Sequence, residues 1–170
     1  MHEFGIPRKM HQTALRMADA MGELNNSIRQ GEGNVYGFLG EMIFAKITGA
    51  NQNNTYDWDV VMPDGHTVDV KSKCVTTPPL PHYECSVAAI GTHQNCDYYA
   101  FVRVLKDFTM AWYLGAMPKM DFLEQSTFME AGVWQDPGNG WSPTIDCYNL
   151  AISALHMDDT NPASLPKLPE

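Results

Sequence analysis

Between Pro7 and Gln30 the apolar residues Met10, Ala14, Met17, Met21, Leu24 and Ile28 recur at alternating steps of four and three. That period places them on one stripe of a helix, and Pro7, whose ring presets a helical φ, suits the first turn. The pattern predicts a helix from Pro7 to Gln30, ended by "GEGN" at Gly31 to Asn34. A second helix is expected from near Val35, with Val35, Phe38, Leu39, Met42 and Ile43 on one side and Gly49 as its C-terminal stop.

After Tyr56 the period shortens to that of strands. "TYDWDVVM", "HTVDVKSKCV", "YECSVAA", "DYYAFVRVL" and "MAWYLGAM" are rich in β-branched and aromatic residues and are bounded by turn signals. A Pro-Asp-Gly turn at Pro63 to Gly65 joins the first two as a hairpin, and Pro78, Pro79 and Pro81 separate the second from the third. A short helix is predicted from Pro118 in "PKMDFLEQSTFM", followed by an extended piece through "TIDCYNLAI". Helices followed by strands imply an α/β fold of the α+β type, with N-terminal helices packed on a central mixed sheet. The length suits a single domain over residues 1–158. The tail, 159–170, offers too little apolar surface to repay ordering and is expected to be loose or draped on the surface.

The formal net charge of −9 changes the picture of partners. It argues against wrapping nucleic acid by a basic surface, so a polyanion would have to be met locally or through metal cations. No apolar run is long enough to span a bilayer, and the first residues lack the core of a secretion signal. A soluble, cytoplasmic protein with no membrane partner is therefore expected. Cys74, Cys85, Cys96 and Cys147 contain no C-x-x-C, so reduced, mostly buried thiols are expected.

The chemistry concentrates on the hairpin "YDWDVVMPDGHTVDVKSK". Alternation puts Asp57 and Asp59 on one face of the first arm, and Asp69, Lys71 and Lys73 on one face of the second. A three-residue loop "DGH" or a five-residue loop "PDGHT" would set Asp59 opposite Lys71 and Val61 opposite Asp69. Val60, Val68 and Val70 would then point to the apolar side. Two carboxylates beside a lysine form a costly cluster if dry, and hard oxygen ligands with room for water are what Mg²⁺ prefers. Asp57 would face Lys73 as a cross-strand ion pair.

A helical Glu in "GFLGEMIFAKITG", an Asp in "DVVMPDG" and the D-V-K of "TVDVKSK" together resemble the PD-(D/E)XK nuclease superfamily, with its restriction-endonuclease-like core. The resemblance covers about Val35 to Phe122, and the strands "DYYAFVRVL" and "MAWYLGAMPKMDF" are similar to the trailing strands of small phage-type members. It implies a Mg²⁺-dependent deoxyribonuclease, with Mn²⁺ able to substitute. Asp59 and Asp69 would bind the metal, Lys71 would position the attacking water, and Glu41 would complete or support the metal site. Asp57, Lys73, His82 and Gln94 are weaker substrate-binding candidates. Two departures stand out: Asp69 occupies a position where Glu is more usual, and "AIGTHQNC" leaves no room for the family's helix between its third and fourth strands.

Other arrangements carry less. "HYEC" and "HQNC" could supply a zinc site, but residues three apart on a strand face opposite ways. His82 is a candidate because its strand is expected beside the signature strand, and Glu84 because it lies near a sheet edge. Trp112, Tyr113 and Trp134 could stack on bases, although strand aromatics more often pack a core. Two further functions remain open: a non-catalytic phage adaptor or structural protein with a nuclease-like sheet, and a Holliday-junction resolvase, which would have to act as a homodimer.

Overall fold

The computed structural model describes residues 1–21, 32–133, 140, 142–158 and 160–168. In chain order the elements are β1 (His2–Gly5), α1 (Arg8–Met21), α2 (Glu32–Thr48), β2 (Asn51–Gln52), β3 (Val60–Val61), β4 (Thr67–Val75), β5 (Glu84–Ala88), β6 (Tyr98–Leu105), β7 (Met110–Pro118), α3 (Lys119–Gln125), β8 (Thr127–Met129) and β9 (Cys147–Ala151). Short 3-10 helices follow β5, at Ala89–His93, and β9, at Ile152–Ala154. The protein is a mixed α+β fold. No helix among the described residues is long and apolar enough to cross a membrane.

Six strands form one sheet in the order β1-β7-β6-β4-β3-β2, and β5-β9-β8 form a second. Only the β4–β6 pair is parallel among the pairings of the described residues. The main sheet is covered on both faces, and alternate residues of its central strands go to different cores. Val68, Val70, Ala100 and Val102 pack with Phe38, Leu39, Ile43 and Phe44 of α2. Tyr99, Phe101, Trp112 and Leu114 pack instead with Cys85 and Val87 of β5, Phe122 of α3 and Ile152. This explains why "YYAFVRV" is almost continuously apolar: a strand buried on both faces has no solvent side to alternate with.

Several expectations are corrected here. The first helix is described to Met21, and its expected continuation through Leu24 and Ile28 to Gln30 lies outside the described residues. The second begins at Glu32, ahead of Val35, so Asn34 is inside the helix and not part of a break. The strand expected over "TYDWDVVM" shrinks to Val60–Val61. The reason is local: the Thr55 hydroxyl accepts the amides of Asp57 and Trp58 at 3.1 and 3.0 Å and curls the chain before it reaches the sheet. The segment "HEFG", too short to signal itself, adds to the main sheet beside β7.

The third predicted strand does not neighbour the signature strand. β5 pairs with β9, so the parallel crossover from β4 to β6 runs through a strand of the second sheet and a 3-10 helix. The tail crosses the other face, where the Tyr98 hydroxyl donates to the Pro166 carbonyl at 2.7 Å and Leu165 packs against the first core.

Candidate active site

The hairpin register pairs Val60 with Val68 and Val61 with Thr67. The loop is therefore Met62 to His66, closed by hydrogen bonds from the Met62 amide to the His66 carbonyl and from the Gly65 amide to the Met62 carbonyl, at 2.8 and 2.9 Å. Gly65 has φ of 93°, a value that favours glycine. Continued by one position, this register sets Asp59 opposite Asp69, not Lys71, and moves the partner of Val61 from Asp69 to Thr67. The expected parity survives because both loops are odd in length. Val60, Val68 and Val70 are buried in the first core as that parity requires.

β4 runs far beyond its short partner β3. Where β3 ends, the Asp59 carboxylate takes over, its Oδ2 accepting the Val70 amide at 2.7 Å. α2 crosses β4 here with the Ser72 side chain filling the space against Gly40, where a Cβ would lie 1.7 Å from Ser72 Oγ. Glu41, the next residue, is carried to the sheet edge, where its Oε2 accepts from Asn54 Nδ2 at 2.8 Å.

Glu41 and Asp69 are 8% and 4% exposed. Burial pushes the Glu41 carboxyl up to about 7, against the Asn54 hydrogen bond and with help from the Asp69 charge. Asp59 is pushed up to about 8, chiefly by burial, then by the charges of Asp69 and Glu41, with the Val70 amide opposing. The neighbouring Asp69 side chain is one of the causes that raise Asp59. The site is thus a cluster of acids short of positive charge.

Lys71 supplies part of that charge. Its Nζ stands 2.5 Å from Asp69 Oδ2. The contact is close but off the direction of a hydrogen bond, so this buried oxygen is ion-paired without a directed donor. Lys71 Nζ also meets Gln94 Oε1 at 3.4 Å and lies 5.8 Å from the Tyr99 ring centroid. Gln94 is itself anchored: its Nε2 donates to the Tyr56 carbonyl at 2.7 Å, and Lys119 Nζ donates to its backbone carbonyl.

The structure thus brings Glu41, Asp59, Asp69, Lys71 and Gln94 together. Asp57 is not paired across the hairpin with Lys73; its Oδ1 accepts the Asn95 amide at 2.9 Å, because the chain has left the ladder by that point. Lys73 stands in register with Arg103 of β6. His82 is exposed and packs edge-on against Tyr83, and its strand belongs to the second sheet, which removes the reason for placing it at the acids. Glu84 accepts from Asn149 Nδ2 at 2.8 Å in that same sheet. Trp112 and Tyr113 are buried in the cores, and Trp134 lies outside the described residues. Met10 and Met17 pack against the first core.

Sequence reasoning missed Asn54 and Gly40. Asn54 sits in "NQNNT", where no periodicity singles out one amide, and Gly40 differs from Gly37 only in what it faces.

Among the described residues no three His, Cys, Asp or Glu side chains form a metal-holding group. For zinc, His82 and His93 are exposed while Cys85 and Cys96 are buried. Burial pushes these thiols up to about 11 and about 12, away from the thiolate form that binds metal. The acids offer a different arrangement, a pair opposed across the hairpin with a third carboxyl in electrostatic range. Comparison of the chain with protein-family models and with curated proteins finds no match.

Proposed function

We propose that the protein is a divalent-metal-dependent nuclease that hydrolyses DNA phosphodiester bonds on a restriction-endonuclease-like core. Mg²⁺ is the proposed cofactor, with Mn²⁺ able to substitute. The observation that carries the proposal is the hairpin register, which sets Asp59 opposite Asp69, with Lys71 Nζ 2.5 Å from Asp69 Oδ2.

The donor set fits a small dication bound largely through water. Asp69 Oδ2 is buried without a directed hydrogen bond, and burial and mutual repulsion raise the Asp59 and Glu41 carboxyls above the usual carboxylate range. Positive charge between them would answer both. Mg²⁺ needs only one or two carboxylates because it keeps several waters, so the lack of a three-ligand group among the described residues is compatible with it.

Asp59 and Asp69 would hold the ion, with Glu41 adding negative charge beside it. When bound, the ion supplies Lewis acidity at a phosphoryl oxygen and a more acidic water. Lys71 orients the attacking water for in-line displacement and meets the negative charge that grows on the phosphate oxygens. Gln94, held by Tyr56 and Lys119, keeps the lysine aimed. Asp59 also ties the hairpin to the Val70 amide, so the carboxylate pair rests on sheet backbone and not on a free loop.

The non-catalytic adaptor remains the second reading, and one observation favours it: Lys71 already neutralises Asp69 internally. Calorimetric titration of Mg²⁺ and Mn²⁺ into wild type, Asp59→Asn and Asp69→Asn separates the two. The nuclease proposal expects one site in the wild type that both substitutions abolish. No binding in the wild type contradicts it and favours the adaptor.

A further inference from the structure

The two most exposed large apolar side chains among the described residues, Ile90 at 81% and Tyr56 at 76%, stand on two loops that meet at Lys71. Gln94 makes the junction: its Oε1 meets Lys71 Nζ at 3.4 Å, and its Nε2 donates to the Tyr56 carbonyl at 2.7 Å. Ile90 belongs to the 3-10 helix Ala89–His93, next to Gly91, where a Cβ would lie 3.8 Å from the same Nζ. A singly exposed apolar residue is ordinary on any protein. Two of them at one candidate reaction centre call for a further reason.

Both loops are held. The Asn53 amide donates to the Asp59 carbonyl at 2.8 Å and the Thr55 amide to the Trp58 carbonyl at 2.9 Å, which closes the Tyr56 loop on itself. Asp57 Oδ1 accepts the Asn95 amide at 2.9 Å and ties that loop to the other, where the Thr92 hydroxyl donates to the Ala89 carbonyl at 2.7 Å. Trp58 packs against the second core, whereas Tyr56, two residues earlier, is left in solvent. A ring on a fixed base loses little freedom when something stacks on it. At a net charge of −9 the chain gains little strand affinity from a basic surface, but an aromatic ring stacks on a base whatever the net charge. Trp112 and Tyr113 are buried and cannot do this.

We propose that Tyr56 and Ile90 contact an unpaired nucleobase next to the phosphate that meets Lys71, the Tyr56 ring stacking on its face and Ile90 adding apolar contact. Bases inside a duplex have both faces covered by their neighbours, so the favoured substrate is a single strand. This assignment deepens the nuclease proposal and rests on it for its substrate, but its test needs no turnover.

The test is fluorescence anisotropy with a labelled oligothymidylate and a blunt duplex of equal length, in EDTA and in Ca²⁺, over a series of salt concentrations, with the strands checked for integrity on a gel. Wild type is compared with Tyr56→Ala, Tyr56→Phe, Ile90→Ser and, as a control, Phe128→Ala, a half-exposed aromatic on β8 of the second sheet. The Tyr56 variants keep the backbone carbonyl that Gln94 uses, and thermal melting checks each fold. The single strand should bind tighter than the duplex in at least one of the two conditions. Tyr56→Ala should weaken it by about 5- to 100-fold, the worth of one stacked base, with the salt slope unchanged because no phosphate contact is lost. Ile90→Ser should also weaken it, while Tyr56→Phe and Phe128→Ala should bind as wild type does.

No binding by the wild type in either condition, equal or tighter binding of the duplex, or unchanged binding by Tyr56→Ala overturns the assignment. So does a loss in Tyr56→Phe or Phe128→Ala as large as that in Tyr56→Ala. Binding that behaves as expected in a protein that cuts nothing with Mg²⁺ or Mn²⁺ leaves the base contact standing and removes the nuclease. Cleavage with binding indifferent to Tyr56 does the reverse.

Discussion

Gly40 and Ser72 stand closer than any side chain on the helix would allow: a Cβ on Gly40 would lie 1.7 Å from Ser72 Oγ and 2.9 Å from Ser72 Cβ. This crossing of α2 over β4 brings Glu41 within electrostatic range of Asp59 and Asp69. In an open helix Gly→Ala stabilises by about 1 kcal/mol. Here Gly40→Ala is expected to destabilise by about 1–3 kcal/mol through overpacking. Adding Ser72→Gly should return a substantial part of that loss. Urea denaturation of the two singles and the double checks this, and a Gly40→Ala protein as stable as wild type would contradict it.

The metal-free protein should lose stability as pH rises. Carboxyls whose folded values are raised, Glu41 to about 7 and Asp59 to about 8, keep protons in the native state that the unfolded chain releases near 4. Between those limits the native state binds more protons, so stability falls with rising pH and levels off above about 8. The total fall should be on the order of a few kcal/mol. Asp59→Asn should flatten the profile and stabilise the protein at pH above 8, measured by denaturation in EDTA. An equally steep profile in that variant would count against the burial of Asp59 as its cause.

Removing Lys71 should cost stability as well as activity. Asp69 is almost fully buried, and its ion-pair partner is about a quarter exposed. Lys71→Ala leaves that carboxylate without its counter-charge, and a loss of about 1–3 kcal/mol is expected, less than for a fully buried pair. Asp69→Asn in the Lys71→Ala background should restore most of it. A double-mutant cycle showing no coupling would mean that the contact carries no energy.

Gln94→Ala tests positioning without touching the acids. Its amide joins Lys71 to the Tyr56 carbonyl, so its loss frees the lysine while the carboxylate pair stays in place. Under the nuclease proposal kcat should fall by roughly tenfold with little change in the metal affinity found by calorimetry. Equal losses in metal affinity and kcat would indicate a disturbed carboxylate pair instead.

How far the site could be read from the sequence depended on what each signal contains. Alternation fixes parity, so Asp59, Asp69 and Lys71 could be grouped correctly even though the direct partner of Asp59 was misplaced by two positions. Loop length, which decides the partner, lay between "MPDGH" and its neighbours, and no residue preference separates loops of the same parity. The position of β5 was not legible, since five alternating residues have the same pattern in either sheet. The main-sheet strands β6 and β7 were the most legible because their long β-branched and aromatic runs match burial on both faces.

The most direct test of the central claim is cleavage of plasmid, linear and branched DNA with Mg²⁺ or Mn²⁺ by wild type, Asp69→Asn and Lys71→Ala, with each variant's fold checked by circular dichroism. The account predicts metal-dependent cutting by the wild type that is lost in both folded variants. No cutting of any substrate by the wild type, or undiminished cutting by Lys71→Ala, would contradict it.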